Sequence, residues 1–333
     1  KQKEAELGGI GGAEEGGGGA EESVAAAEPA ESITNTQETG VDEGGIVKAY
    51  KNFFVILRRG RLFSVKMGGF ENPEATLRVG NILTPVSQVN AFPDGLTPAN
   101  WYDELLISGN KIVVVGYSYI KQATEVGLFS IDDEGVITHT STYFLDSDDY
   151  YSSRNYASRL VGSTLIFYMP VYLFRYTYNY EGGVTKTTVD TRLPKMRQWT
   201  SGDNTDEGKE MLSKINIYQP MQENLDPTLH TVVRCDLAAE FTCSATSILG
   251  PYARNFYVSP EAVYVWVNDW NSYAYVYRMP LDEDGAAQTL RADGSPIDQF
   301  SFKEQSGFLN VLVRSEGLGE AMWQPETTTG KMA

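Results

Sequence analysis

Carboxylates, aromatic rings and two cysteines are the side chains in this 333-residue chain whose spacing could support chemistry. Asp146-Ser147-Asp148-Asp149 places three carboxylates within four positions, the oxygen-rich composition that a hard cation such as Ca2+ takes. The run lacks the D-x-D-x-D-G spacing and distal Glu of a calcium loop, so a solvated loop is the plainer account of it. The same three carboxylates would serve a polysaccharide hydrolase or lyase if two of them converged in a pocket. Asp132-Asp133-Glu134-Gly135 and Asp282-Glu283-Asp284-Gly285 fall where hairpins must turn, and turn chemistry accounts for them. His139 and His230 lie in apolar β patterns, without metal-ligand spacing to each other or to a cysteine, and read as strand residues rather than general bases. The sequence contains no Gly-x-Ser-x-Gly and no His-Glu-x-x-His. At Gly330-Lys331 a phosphate loop is spoiled by Pro325 upstream and Met332 downstream.

Aromatic side chains are the loudest feature. Tyr172, Phe174, Tyr176, Tyr178 and Tyr180 alternate, so an unbroken strand would put all five on one face. Such a face is either a stacking platform for sugar rings or a peptide, or a surface packed against a neighbouring sheet. Tyr264 and Trp266, with Tyr273, Tyr275 and Tyr277 beyond a turn containing Trp270, form a second ladder, which sheet-to-sheet packing explains better. Trp270, in that turn, is the binding candidate of the group.

Cys235 and Cys243 lie symmetrically about Ala239. Thr228–Leu237 and Phe241–Leu249 both read as strands, with the turn at Ala238-Ala239-Glu240, so the cysteines face each other across one rung. A disulfide there is expected, and with it an oxidising compartment: secreted, periplasmic or cell-surface.

The elements that must position these residues are β. From residue 46 onward, short runs rich in Val, Ile, Tyr and Phe break at Gly, Asp, Asn or Pro, and no window gives an amphipathic helix. A unit made of a short strand, a polar turn and a strongly apolar strand recurs at Lys48, Leu105, Ser158 and Ala253, and a fifth opens at Gln299-Phe300-Ser301-Phe302. Two near-equal periods with four strands each are the pattern of propeller blades. The longer third interval holds an insertion, placed at residues 181–227, where a propeller would shape a contact surface.

Net charge is −17, from 27 Lys and Arg against 44 Asp and Glu. A chain this acidic is repelled by phosphate backbones, which argues against nucleic acid. Residues 1–32 carry eight Glu, two Lys and abundant Gly and Ala without apolar periodicity, and read as a flexible acidic linker ahead of a β domain over 33–333. The chain opens with Lys1 rather than Met, as a processed or truncated polypeptide would. Leu160 to Phe174 is too short and too interrupted for a transmembrane helix.

Asn35-Thr36-Gln37-Glu38-Thr39-Gly40-Val41-Asp42-Glu43-Gly44-Gly45-Ile46-Val47-Lys48 resembles the opening motif, T-N-x-Q-x-x-G-V-D-E-A-D-I-V-K, of the secreted bacterial and archaeal β-propeller domain family distantly related to WD40 repeats. Ser158-Arg159-Leu160-Val161-Gly162, Tyr257-Val258-Ser259 through Tyr264, and Gln299-Phe300-Ser301 through Val311 resemble later motifs of that family, in order. Gly45 departs from it, standing where an acidic residue is usual. The resemblance implies an all-β propeller of four-stranded blades, incomplete in this chain, with a second chain as one way to complete the ring. The function it suggests is an extracytoplasmic binding or assembly module. Its contacts with a protein or polysaccharide would run through loops and the Tyr172–Tyr180 strand, with no cofactor beyond a Ca2+ at Asp146, Asp148 and Asp149.

Overall fold

The computed structural model describes residues 36–68, 83–148, 158–178, 183–191, 193–212, 216–218, 227–251, 255–268, 274–282 and 285–314. Four antiparallel sheets follow one another along the chain. The first contains Val47–Tyr50, Phe53–Arg58, Arg61–Met67 and Leu83–Asn90. The second contains Trp101–Ser108, Lys111–Ser118, Ala123–Ile131 and Ile137–Asp146. The third contains Ser158–Val161, Thr164–Tyr172, Thr228–Asp236 and Thr242–Gly250. The fourth contains Asn255–Val258, Ala262–Asn268, Ala274–Pro280 and Gln288–Ala292. Phe302–Gln305 and Phe308–Val311 then open a fifth sheet, two-stranded among the described residues.

The reason for this arrangement is visible in strand parity. Side chains alternate across a strand, so a run such as Ile112-Val113-Val114-Val115 is stable only if both faces are covered. Ile112 and Val114 pack with Phe53, Val55 and Leu62 of the first sheet. Val113 and Val115 pack with Leu165, Phe167 and Val233 of the third. Ile166 and Val232, on the far face of the third sheet, pack with Phe256, Val263 and Val265 of the fourth. Tyr264 and Trp266 pack in turn with Phe302 of the fifth. Each sheet therefore buries its neighbour, which is the packing of propeller blades.

The second aromatic ladder divides between these cores. Tyr264 pairs with Arg278 and Val265 with Tyr277, so Tyr277 and Tyr264 project from opposite faces of the fourth sheet. Tyr264 and Trp266 face the fifth hairpin, and Tyr277 faces the third sheet. Packing explains all three. Trp270 and Tyr273 lie outside the described residues.

Three segments extend these sheets. Val41–Glu43 pairs with Ser158–Val161, at the first strand of the third sheet. Gly45 then bridges to Leu105 of the second sheet, and the chain continues into the first. The opening motif thus touches the first strands of three sheets in succession. The long excursion leaves the third sheet after Tyr172 and returns at Thr228. Within it, Lys195–Ser201 pairs with Tyr143–Leu145 of the last strand of the second sheet, covering that part of its edge. Ile217–Tyr218 runs parallel to Thr242–Gly250 on the edge of the third. Unpaired edges invite association, and these two strands cover part of both edges.

Cys235 and Cys243 are paired directly across the Thr228–Asp236/Thr242–Gly250 hairpin and form a disulfide, as their symmetry about Ala239 predicts. No helix among the described residues is long and apolar enough to cross a membrane.

Candidate functional site

The aromatic strand is not continuous. Tyr172 ends the strand that opens at Thr164, Leu173 bends away, and Phe174–Tyr178 begins a separate hairpin with Val184–Val189. The amide of Asp190 donates to the carbonyl of Leu173 at 2.8 Å and closes the base of that hairpin. Phe174 lies opposite Val189, Arg175 opposite Thr188 and Tyr176 opposite Thr187, and the register shifts between Thr177 and Tyr178. The Phe174 and Tyr176 rings stack with centroids 6.4 Å apart. Tyr176 is 39% exposed and Val189 59%. Tyr178 belongs to the hairpin beyond the irregularity, and Tyr180 lies outside the described residues.

Asp148 anchors the hairpin to the body. One carboxylate oxygen accepts the Tyr172 amide at 2.6 Å, and the other receives the Arg175 guanidinium at 2.6 Å. Its own amide donates to the Pro170 carbonyl at 3.2 Å. Arg175, on the face opposite Phe174 and Tyr176, then lines an open cleft of about 440 Å3 with Gln122, Thr188, Val189 and Asp190. Beside Gln122, the turn between the second and third strands of the second sheet exposes Ile120 at 76% and Tyr119 at 50%.

Asp146 is held similarly. It binds the Arg197 guanidinium at 2.6 Å and accepts the Lys195 amide at 3.2 Å, which fastens the edge strand Lys195–Ser201 to the second sheet. A little further on, Asp203 accepts from the Thr97 amide and hydroxyl, both at 2.8 Å, and these bonds hold its carboxyl below the usual range. Asp146 and Asp148 are thus brought to the same end of adjacent sheets, each with its own arginine. A cation there would compete with two guanidinium groups. Asp149 lies outside the described residues, and no group of three or more His, Cys, Asp or Glu arranged around a metal position occurs among the described ones.

Both histidines sit in strands. His230 is fully buried, with Nδ1 2.7 Å from the Tyr168 hydroxyl and Nε2 2.8 Å from the Pro251 carbonyl. Burial pushes its pKa down to about 4. His139 is half-buried, its ring against Phe129 and Trp199, and burial lowers it as well.

Two polar groups carry more than their sequence context suggests. Glu125, within Ala123–Ile131, is fully buried. One carboxyl oxygen accepts the Tyr102 hydroxyl at 2.8 Å, and the other has no hydrogen-bond partner. Burial raises its pKa to about 7 against the opposing effects of the Tyr102 bond and the Lys121 charge. A lone acid in an otherwise apolar strand was the available signal. The second group is a network that collects the family-like motifs. Lys48 donates to Asp42 at 2.6 Å and to the Glu43 carbonyl at 2.7 Å. The buried Arg159 pairs with Glu43 at 3.8 Å and donates to Gln299, whose carbonyl accepts from the Gln37 amide side chain. Glu104 accepts from the backbone and hydroxyl of Ser158. This network ties sheets together through buried, mutually satisfied groups, so its role is structural.

A family model described as "Beta propeller domain" matches residues 31–332. No curated protein and no solved structure matches the chain.

Proposed function

The chain belongs to the beta propeller domain family, and on that footing we propose that it is a binding module of the cell envelope, working through the Phe174–Val189 hairpin and the cleft at its base. The observation that carries this reading is the contrast between hairpin and scaffold. The inner strands of the second and third sheets, Lys111–Ser118, Ala123–Ile131, Thr164–Tyr172 and Thr228–Asp236, are buried on both faces along most of their length, whereas the hairpin exposes Tyr176, Thr187, Thr188 and Val189. Exposed aromatic and β-branched side chains on a rigid support are what a recognition surface needs. The support is rigid because Asp148, the Leu173 carbonyl and the Asp190 amide fix both strands where they leave the body.

An extracytoplasmic setting is supported by the Cys235–Cys243 disulfide, since such bonds persist in oxidising compartments. A partner there is a protein or a polysaccharide of the envelope. Polysaccharide hydrolysis would require carboxylates free to exchange protons, and Asp146 and Asp148 are instead engaged with arginines and backbone amides. The engagement of these two carboxylates supports recognition without bond-making.

Co-sedimentation with purified bacterial envelope material tests the reading. The native chain should pellet with the material, and Tyr176→Ala combined with Thr188→Val should stay in the supernatant at unchanged thermal stability. Equal pelleting of both would refute it.

A further inference from the structure

Three arginines meet at one turn of the first sheet. Arg58 and Arg61 are paired directly across the last rung of the hairpin formed by Phe53–Arg58 and Arg61–Met67, and Arg59-Gly60 makes the turn. All three are exposed, and no carboxylate among the described residues is paired with any of them. Their surroundings reverse the charge of the molecule. The strands and two tight turns of the first sheet hold Lys48, Lys51, Arg58, Arg59, Arg61 and Lys66 and no Asp or Glu, in a chain of net charge −17. Lys48 and Lys51 are paired with Asp42 and Asp133. Lys66 lies at the far end of its strand, on the face opposite Arg58 and Arg61.

Stability alone does not account for this turn. Like charges directly opposed across a rung repel each other. Arg59 has φ +52°, in the left-handed region that favours Asn or Gly. Solubility does not call for the arginines either, since they reduce the magnitude of a large negative charge. We propose that the turn is the docking point for an acidic segment of a protein partner, a contact independent of the Phe174–Val189 hairpin. Guanidinium forks match carboxylates in paired hydrogen bonds. On the face that carries Arg58 and Arg61, the next two rungs are Ile56 with Phe63 and Phe54 with Val65. All four side chains are half-buried and belong to none of the cores between sheets. An extended segment repeats every two residues on one face, so an acid at the arginine rung sets the side chain two positions on over Ile56 and Phe63. Alternating acidic and apolar residues satisfy both rungs. A phosphate or sulfate polymer has no apolar group for the second, and it meets the field of the whole chain at every repeat.

Fluorescence anisotropy of the full chain with labelled decapeptides that alternate Glu or Asp with Val, Ile or Phe tests the inference. The same peptides with Gln and Asn in place of the acids, and labelled heparin and polyphosphate, are the controls. At least one acidic peptide should bind in the range of about 10^-4 M at low salt and weaken as salt is raised. Arg58→Gln combined with Arg61→Gln should weaken that binding by about tenfold. The double variant should match or exceed the native thermal midpoint, because it removes the repulsion across the rung. Failure of every acidic peptide to bind, equal binding of the Gln and Asn peptides, or binding that the double substitution leaves unchanged would overturn the proposal. Tighter binding of heparin or polyphosphate than of any acidic peptide would overturn it in favour of an anionic polymer.

Discussion

Glu125 and His230 are both buried in strands, and burial moves their pKa values in opposite directions, to about 7 and about 4. In the unfolded chain Glu125 ionises from its ordinary value near 4.5, whereas in the folded chain it keeps its proton up to about 7. Its contribution to stability therefore falls as pH rises through that window, by roughly 3 kcal/mol at most. His230 takes a proton in the unfolded chain below about 6.5 but in the folded chain only near 4, so its contribution falls as pH drops through that window. Between pH 4.5 and 6.5 the two slopes oppose each other. We expect Glu125→Gln to unmask the histidine: urea unfolding at pH 4.5, 6 and 8 should show the variant gaining on the native chain with rising pH. A stability difference independent of pH would show that Glu125 ionises normally. Gly116 offers a second residue-scale test. A Cβ there would lie 2.5 Å from the Trp101 carbonyl and 2.7 Å from the Tyr102 ring that holds Glu125. Gly116→Ala should cost about 1–3 kcal/mol, read from the urea midpoint, because the carbonyl belongs to a paired strand and has little room to move. An unchanged midpoint would mean that the Trp101–Tyr102 strand yields.

Elements separate what could be read in the chain from what could not. The Cys235–Cys243 rung was legible because both flanking runs alternate cleanly and the turn centre lies midway between the cysteines. Closing a loop with a sequence separation of 8 should stabilise the fold by about 2.5 kcal/mol through chain entropy. Cys235→Ala with Cys243→Ala should lower the urea midpoint accordingly, and equal stability of the two forms would deny the bond a stabilising role. The aromatic strand was legible only in part. Alternation of residue types continues from Tyr172 to Tyr180, yet the backbone bends at Leu173, where the Asp190 amide takes its carbonyl. Likewise the parity that separates Tyr264 from Tyr277 depends on the cross-strand register of Ala262–Asn268 with Ala274–Pro280, which composition does not record. The edge strand Lys195–Ser201 was invisible. Its residues Lys-Met-Arg-Gln-Trp-Thr-Ser look like a loop, and they form a strand because Arg197 and the Lys195 amide find Asp146 some fifty positions away.

At the scale of the molecule, the recurrence of one strand grammar made the succession of sheets readable, since each apolar run needed two covered faces. The network joining them was not readable, because Gln37, Glu43, Arg159 and Gln299 are far apart in sequence: Glu43 and Arg159 meet across paired strands at the edge of the third sheet, and Gln299, with Gln37 bonded to it, joins them from the turn that leads into the fifth. Arg159 sits at its centre, its guanidinium also 5.7 Å from the centre of the Phe256 ring. Arg159→Leu should destabilise the chain by roughly 3 kcal/mol, since Glu43 and Gln299 would keep their burial and lose their partner. Amide exchange should rise at 37–43 and 299–302 together, and a rise confined to the neighbours of residue 159 would mean that the network does not couple the sheets. The central claim, a rigid stack of sheets presenting one recognition hairpin, is tested most directly by excising that hairpin. Leu173 and Asp190 are hydrogen-bonded at its base, so residues 174–189 can be replaced by a Gly-Ser link without separating the ends. We expect the shortened chain to keep its disulfide and thermal midpoint and to lose adsorption to envelope material. Unaltered adsorption, or collapse of the fold, would contradict the account.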